Sequence, residues 1–332
     1  MTEIEKILAA LAGAPPAPPA PAALATLVRV TGSSYRRPGA RLLVLKGHSP
    51  IGSISGGCLE EDIILRAERV LATGQAETAV YNTTSENDLV WGVGLGCQGI
   101  VHIMIEPVPI IRPEWIKVLT ENLRAGHPTT LRTTYEGTSA LGTTLASNGN
   151  RPAPDSFQEI INAAPALLLF GAGDDARPLV RLAKELGWHV TVTDARAAYA
   201  TAARFPAADR IMITPAEKIA EPDPTTRALF AVVMTHRYTE DLNLLRRLLP
   251  QSLAYLGVLG PRQRTDRLLT QLRAEGFSPD ATMLARLHAP VGLDLGGSTP
   301  ETVALAIMAE MQCRLSGRSP IHLRDRAQPI HG

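Results

Sequence analysis

Ala166-Leu-Leu-Leu-Phe-Gly171-Ala-Gly173-Asp-Asp-Ala176 decides the fold. An apolar run ends in a G-x-G-x-x-A turn, and Trp188-His-Val-Thr-Val-Thr-Asp194 follows as a second strand that ends in an acid. The glycine motif alone is weak evidence. Framed by two strands, a helix start and a terminal acid about 20 residues on, it is the pattern of a dinucleotide fold. Working outward, strands are predicted at 166–170, 189–194, 210–213, 229–235 and 253–259. Helices are predicted between them at 175–186, 239–249 and 261–275. Such alternation predicts an open parallel sheet with right-handed crossovers.

In that half Gly171 and Gly173 would let a pyrophosphate approach the helix N-terminus, and Asp194 would accept from a ribose hydroxyl. The other reading is that the glycines only make the turn. Asp174 and Asp175 suit the helix dipole but compete with a phosphate for the same N–H groups. Arg196 could serve a ribose phosphate or an acidic ligand. Ligands in these sheets lie outside the carboxyl ends of the strands, which places His236 and Arg262 at the cleft. His236 is equally well read as a capping or packing residue. Leu287 to Glu301 leads into a further helix, with Ser298 or Thr299 as cap, Pro300 in the first turn and Glu301 completing a capping box.

The N-terminal half is β-rich. Strands are predicted at 24–30, 40–45 and 100–105, and helices at 2–12, 60–73 and 113–124. Ala14 to Pro21 is a proline run that favours extended spacer conformations. The polar Gly/Pro/Asn run 146–155 is the best boundary. The expected organisation is a mixed α+β domain over 1–145, a linker over 146–160 and a Rossmann-like domain over 161–332.

Two turns of this half carry thiols: Ser55-Gly56-Gly57-Cys58-Leu59-Glu60 and Gly94-Leu95-Gly96-Cys97-Gln98-Gly99. Glycines let backbone approach a ligand closely, so Cys58 and Cys97 are candidates for thiol chemistry or simply mark tight turns. A thiol at a helix start has its thiolate favoured, which Glu60 and Glu61 oppose at Cys58. Two thiolates suit a soft metal or a persulfide. A closed zinc site needs four ligands, and only His102 lies near Cys97 in sequence. Cys313 falls in a helical stretch and reads as a packing residue. Gly32-Ser-Ser-Tyr-Arg36-Arg37-Pro-Gly-Ala-Arg41 offers three arginines, either as an anion clamp or as a solvated basic turn.

The 332 residues suit two domains. With 33 basic and 32 acidic side chains, nucleic acid and an anionic membrane are poor partners. Three cysteines with no CxxC pair fit a reducing compartment. No long apolar run suggests a signal peptide or membrane span, so a soluble cytoplasmic protein is expected.

From about Leu24 to the C-terminus the chain resembles the XdhC/CoxI family, accessory proteins of molybdenum hydroxylases such as xanthine dehydrogenase. The arginine turn and the two cysteine turns are similar to its N-terminal motifs. Leu169-Phe-Gly-Ala-Gly173, Thr235-His236, Leu256-Gly-Val-Leu-Gly260 and His288-Ala-Pro-Val-Gly-Leu-Asp294 are similar to its Rossmann half. The resemblance implies a factor that binds molybdenum cofactor, protects it, and assists its sulfuration and insertion into a hydroxylase. It implies a cysteine desulfurase as partner and a homo-oligomeric state, with a homodimer as the expected form. By the same resemblance Cys58 and Cys97 become the molybdenum or sulfur residues, and the arginine turn a place for the pterin phosphate. Many members carry His where this chain has Asp174, and the proline run lies outside the family pattern. Two other readings stand beside this one. The first is an NAD(P)-dependent oxidoreductase with His236 as acid or base; the second is a sulfurtransferase with Cys58 as acceptor.

Overall fold

The structure, a computed structural model, describes residues 2–13, 20–82, 99–146, 153–215 and 229–327. The chain divides into two compact units, Thr2–Ala163 and Ala164–Gly332.

In the first unit the elements run α1 (Glu3–Leu11), β1 (Ala22–Gly32), β2 (Arg41–Leu45), β3 (Ile51–Gly52), α2 (Glu60–Thr73) and β4 (Glu77–Asn82). They continue with β5 (Gly99–Val108), α3 (Glu114–Ala125), β6 (Thr129–Thr134), β7 (Gly142–Leu145) and β8 (Ser156–Ile161). Five strands form an antiparallel sheet in the order β3-β2-β1-β5-β4, and three form a second sheet, β7-β6-β8. Ala22 to Val28 of β1 is buried at every position. Ala23, Ala25 and Leu27 pack with Ile63, Ala67 and Val70 of α2, while Ala22 and Leu24 pack with Ile7, Leu11, Trp115 and Leu119 of α1 and α3. A strand covered on both faces reads as a near-continuous apolar run, and only Thr26 interrupts Ala22 to Val28.

The boundary falls later than the linker expected at 146–160. Residues Ser156 to Ile161 pair with β6, from Thr134↔Ser156 to Thr129↔Ile161. The polar Gly/Pro/Asn run therefore lies between two strands of one unit. Polar composition marks a solvated connection but does not say which elements it joins.

The second unit contains β9 (Ala166–Phe170), α4 (Ala176–Glu185), β10 (His189–Asp194), β11 (Arg210–Ile213), β12 (Leu229–Val233) and α5 (Tyr238–Leu248). β13 (Tyr255–Val258), α6 (Arg262–Ala274), α7 (Ala281–Leu284), β14 (Leu287–His288) and α8 (Pro300–Ser316) follow. The six strands are parallel, in the order β11-β10-β9-β12-β13-β14. α4 and α8 cover one face through Leu179, Ala183, Ile307 and Met311, and α5 and α6 cover the other through Leu245, Leu248, Leu268 and Leu272. Strand order reverses at β9, so the switch point lies between the carboxyl ends of β9 and β12. Thr299 caps α8 by accepting from the Thr302 N–H, with Pro300 in its first turn. Glu301 does not close a capping box; its carboxylate lies 4.0 Å from Arg181. Among the described residues no helix is long and apolar enough to cross a membrane.

Gly171 sits where β9 ends, at φ +115°, and a Cβ there would lie 2.4 Å from the Met234 carbonyl oxygen. Strain and a backbone clash then act together. Gly171→Ala should destabilise the second unit by roughly 3 kcal/mol or more. Gly317, at φ +64° with open space around it, should cost only about 1 kcal/mol on the same change. Urea denaturation of the two variants checks the contrast.

Candidate functional site

The thiol loop is built around one carboxylate. Glu60 opens α2, whose first turn also carries Glu61 and Asp62. Its side chain folds back to accept from the N–H groups of Ile54 (3.0 Å), Ser55 (2.8 Å), Gly57 (2.8 Å) and Leu59 (3.3 Å). The hydroxyls of Ser53 (3.0 Å) and Ser55 donate to it as well. Burial works to raise the Glu60 pKa, but the bonds from Ser55, Ile54 and Ser53 outweigh it and hold the group at about 2. Gly56 and Gly57 take φ +78° and +117°, and Cys58 is exposed beyond them.

The arginine turn touches this loop. The Tyr35 ring lies 2.9 Å from where a Gly56 Cβ would stand, and the Ser33 carbonyl lies 2.2 Å from where a Gly99 Cβ would stand. Of the three arginines, Arg36 makes a two-pronged bond to Glu3 (3.0 and 3.1 Å). Arg41 is buried and pairs with Glu159, also donating to the Gly39 carbonyl at 2.9 Å. Arg37 is exposed and makes no side-chain bond among the described residues. Two of the three charges thus hold the fold, and one faces solvent. Cys97 and Gly96 lie outside the described residues.

At the switch point of the second unit the polar groups bind one another. The Asp194 carboxylate accepts from the Ala172 N–H (2.8 Å), the Arg196 N–H (2.8 Å), and Arg196 Nε (2.9 Å) and Nη2 (2.7 Å). Those bonds to Arg196 and Ala172 hold its pKa down against burial, which acts to raise it. Both oxygens are engaged by these donors, so a ribose hydroxyl would have to share or displace them. Arg196 also stacks on Tyr199, 4.0 Å from the ring centroid, and Arg204 lies over the same ring at 5.1 Å. Arg204 donates to Asp174 at 3.0 Å. The Asp175 carboxylate meets His236 Nε2 at 2.6 Å, and a Gly173 Cβ would lie 2.6 Å from the same carboxylate. His236 is the one described non-glycine residue with positive φ, at 60°. Arg262 is exposed at the start of α6.

The motif at 288–294 is held from α8. Glu310 accepts from the Gly292 N–H (2.8 Å) and the Tyr255 hydroxyl, and meets His288 Nδ1 at 2.9 Å. Sequence reasoning missed Arg204, Glu310 and the Asp175–His236 pair because none lies beside its partner in the chain. Glu60 was adjacent, and the run of serine and glycine N–H groups before it was the available signal.

A carboxylate with a depressed pKa stabilises the fold above its ordinary value and loses that contribution as pH falls through the folded-state value. Between pH 4.5 and about 2, wild-type stability should therefore fall more steeply than that of Glu60→Gln. Thermal melts across that window check it.

Residues 167–311 match the XdhC Rossmann domain family, and residues 17–82 match the XdhC and CoxI family. The chain is 35% identical over 311 residues to a Bacillus subtilis (strain 168) protein named as a probable xanthine dehydrogenase subunit, covering 86% of this chain and 91% of that one. It is 23% identical over 288 residues to the molybdenum cofactor insertion chaperone PaoD of Escherichia coli (strain K12), covering 86% and 81%. A crystal structure described as a xanthine dehydrogenase from Bacillus halodurans superposes with a TM-score of 0.80 at 30% identity, covering 99% of both chains. Motifs, fold and relatives agree: the chain belongs to the XdhC and CoxI family.

Proposed function

We propose that this protein binds molybdenum cofactor, assists its sulfuration and inserts it into a molybdenum hydroxylase, with Cys58 as the residue that meets the metal or its sulfur. The observation that carries the reading is the exposed thiol on a loop fixed by Glu60, beside the arginine turn whose Arg37 is unpaired among the described residues. The donor set fits the group: a thiolate suits a soft metal, and a guanidinium fork suits the pterin phosphate. Relatives named for xanthine dehydrogenase and for insertion of molybdenum cofactor support the same reading. Cys97 is the second thiol of the proposal. A cysteine desulfurase supplies sulfur: its persulfide passes the terminal sulfur to the Cys58 thiolate, and the donor cysteine leaves as thiolate. A homodimer is the proposed assembly.

The second unit carries separate proposed ligand contacts of its own, at Gly171, Gly173, His236 and Arg262. Asp194 takes part there only if Arg196 swings away. This arrangement weighs against an NAD(P)-dependent oxidoreductase, because a ribose would have to compete with Arg196 for its usual acceptor.

Protein purified gently from cells supplied with molybdate should carry molybdenum and show pterin fluorescence after oxidation. Cys58→Ala should lower that load roughly tenfold with the fold intact. Nicotinamide nucleotide alone, with oxidation of a substrate, would overturn the reading. The arginines separate cleanly. Arg37→Ala should lower cofactor load with stability within about 0.5 kcal/mol of wild type. Arg41→Ala leaves Glu159 without its buried partner and should cost roughly 3 kcal/mol of stability, read by urea denaturation.

A further inference from the structure

The segment from Ile54 to Leu59 carries six backbone N–H groups. Those of Ile54, Ser55 and Gly57 donate to Glu60, at 3.0, 2.8 and 2.8 Å. Leu59 N–H is shared between Ser55 Oγ at 2.8 Å and Glu60 at 3.3 Å, and Gly56 N–H donates to Ser53 Oγ at 3.1 Å. Ser53 and Ser55 each pass their own hydroxyl hydrogen to Glu60, so they extend its reach by one bond. The remaining N–H is that of Cys58. Neither it nor the Cys58 thiol has a partner among the described residues.

The loop is therefore closed everywhere except at one residue, where an N–H and a thiol are left together. We propose that Glu60 is a positioning residue. It takes up the neighbouring donors directly or, for the Gly56 N–H, through Ser53, holds Gly56 and Gly57 in their left-handed conformations, and leaves the Cys58 thiol and N–H without a partner among the described residues. The pair would suit a thiophilic metal centre: the thiolate could serve as ligand, and the N–H could donate to an acceptor atom beside it. This rests on the reading of Cys58 given above.

Charge is the competing explanation for any effect of Glu60, and the structure contains its own control. Glu61 lies in the same first turn of α2 and carries the same charge, but makes no bond to the loop. Glutamine at position 60 would keep the size of the side chain while replacing one acceptor oxygen by an NH2. That group would face N–H donors that need an acceptor.

The test is molybdenum content and pterin fluorescence of the purified full-length chain, in Glu60→Gln, Glu61→Gln, Cys58→Ala and the Cys58→Ala/Glu60→Gln double variant, with circular dichroism as the folding control. Glu60→Gln should lose roughly tenfold in load, as supporting residues around a metal do. Glu61→Gln should stay at the wild-type level. Because Glu60 acts through Cys58, the double variant should load no worse than Cys58→Ala within about twofold. Losses that multiply in the double variant, or equal losses in the two glutamine variants, overturn the inference. Full loading in Glu60→Gln with loss in Cys58→Ala rejects the inference alone. Full loading in Cys58→Ala rejects the thiol reading beneath it.

Discussion

A backbone that turns sharply leaves N–H groups pointing inward with no strand or helix to receive them, and each must find an acceptor. In this chain carboxylates do that work. Glu60 closes the thiol loop, Asp194 receives the Ala172 N–H of the β9–α4 turn, and Glu310 receives the Gly292 N–H of the loop after β14. All three turns are glycine-rich, and all three acids are held below their ordinary pKa. In each case burial acts to raise the value and hydrogen bonds prevail. An ionised carboxylate accepts several N–H bonds at once, which a hydroxyl or amide cannot match.

The same device has opposite consequences at the two sites. At Asp194 the side chain that completes the set is Arg196, a residue two positions on, and both oxygens are engaged. The parallel sheet, the reversal at β9 and the glycine turn are those of a dinucleotide fold, yet the acid that would receive a ribose is used to fix its own loop. Asp174 and Asp175 are engaged in turn by Arg204 and His236. At Glu60 the donors all come from the loop itself, and the set stops one residue short. Among the described residues neither the N–H nor the thiol of Cys58 has a partner.

Much of this was legible from the chain. The apolar runs at β1 and β9 are long and covered on both faces, so burial and sequence coincide. The glycines after α2 and α3 stop both helices in the left-handed region, at 69° and 86°. The strands β4, β6, β7 and β8 carry no such signal. β4 and β6 mix threonine with charged residues, β7 is only four residues long, and β8 lies next to a stretch whose composition resembles a linker. Side-chain partnership was hidden for another reason. Arg36 finds Glu3 and Arg41 finds Glu159, 33 and 118 residues away, so the three arginines of one turn looked equivalent until the fold separated them. Glu60 was visible, but as a charge next to a thiol rather than as an acceptor for the loop behind it.

The contact between Tyr35 and Gly56 ties these points together. Tyr35 is 65% exposed, yet its ring covers the place where a Gly56 side chain would stand. Glycine at 56 is thus required twice, by a φ of +78° and by the ring above it. The arginine turn and the thiol loop are two halves of one contact, although more than fifteen residues separate Arg37 from Ser55 along the chain. Arg36 anchors the first half to α1 through Glu3, and Glu60 anchors the second to the start of α2. With both halves fixed from behind, Arg37 and Cys58 stand exposed on adjoining loops, and neither side chain has a partner among the described residues.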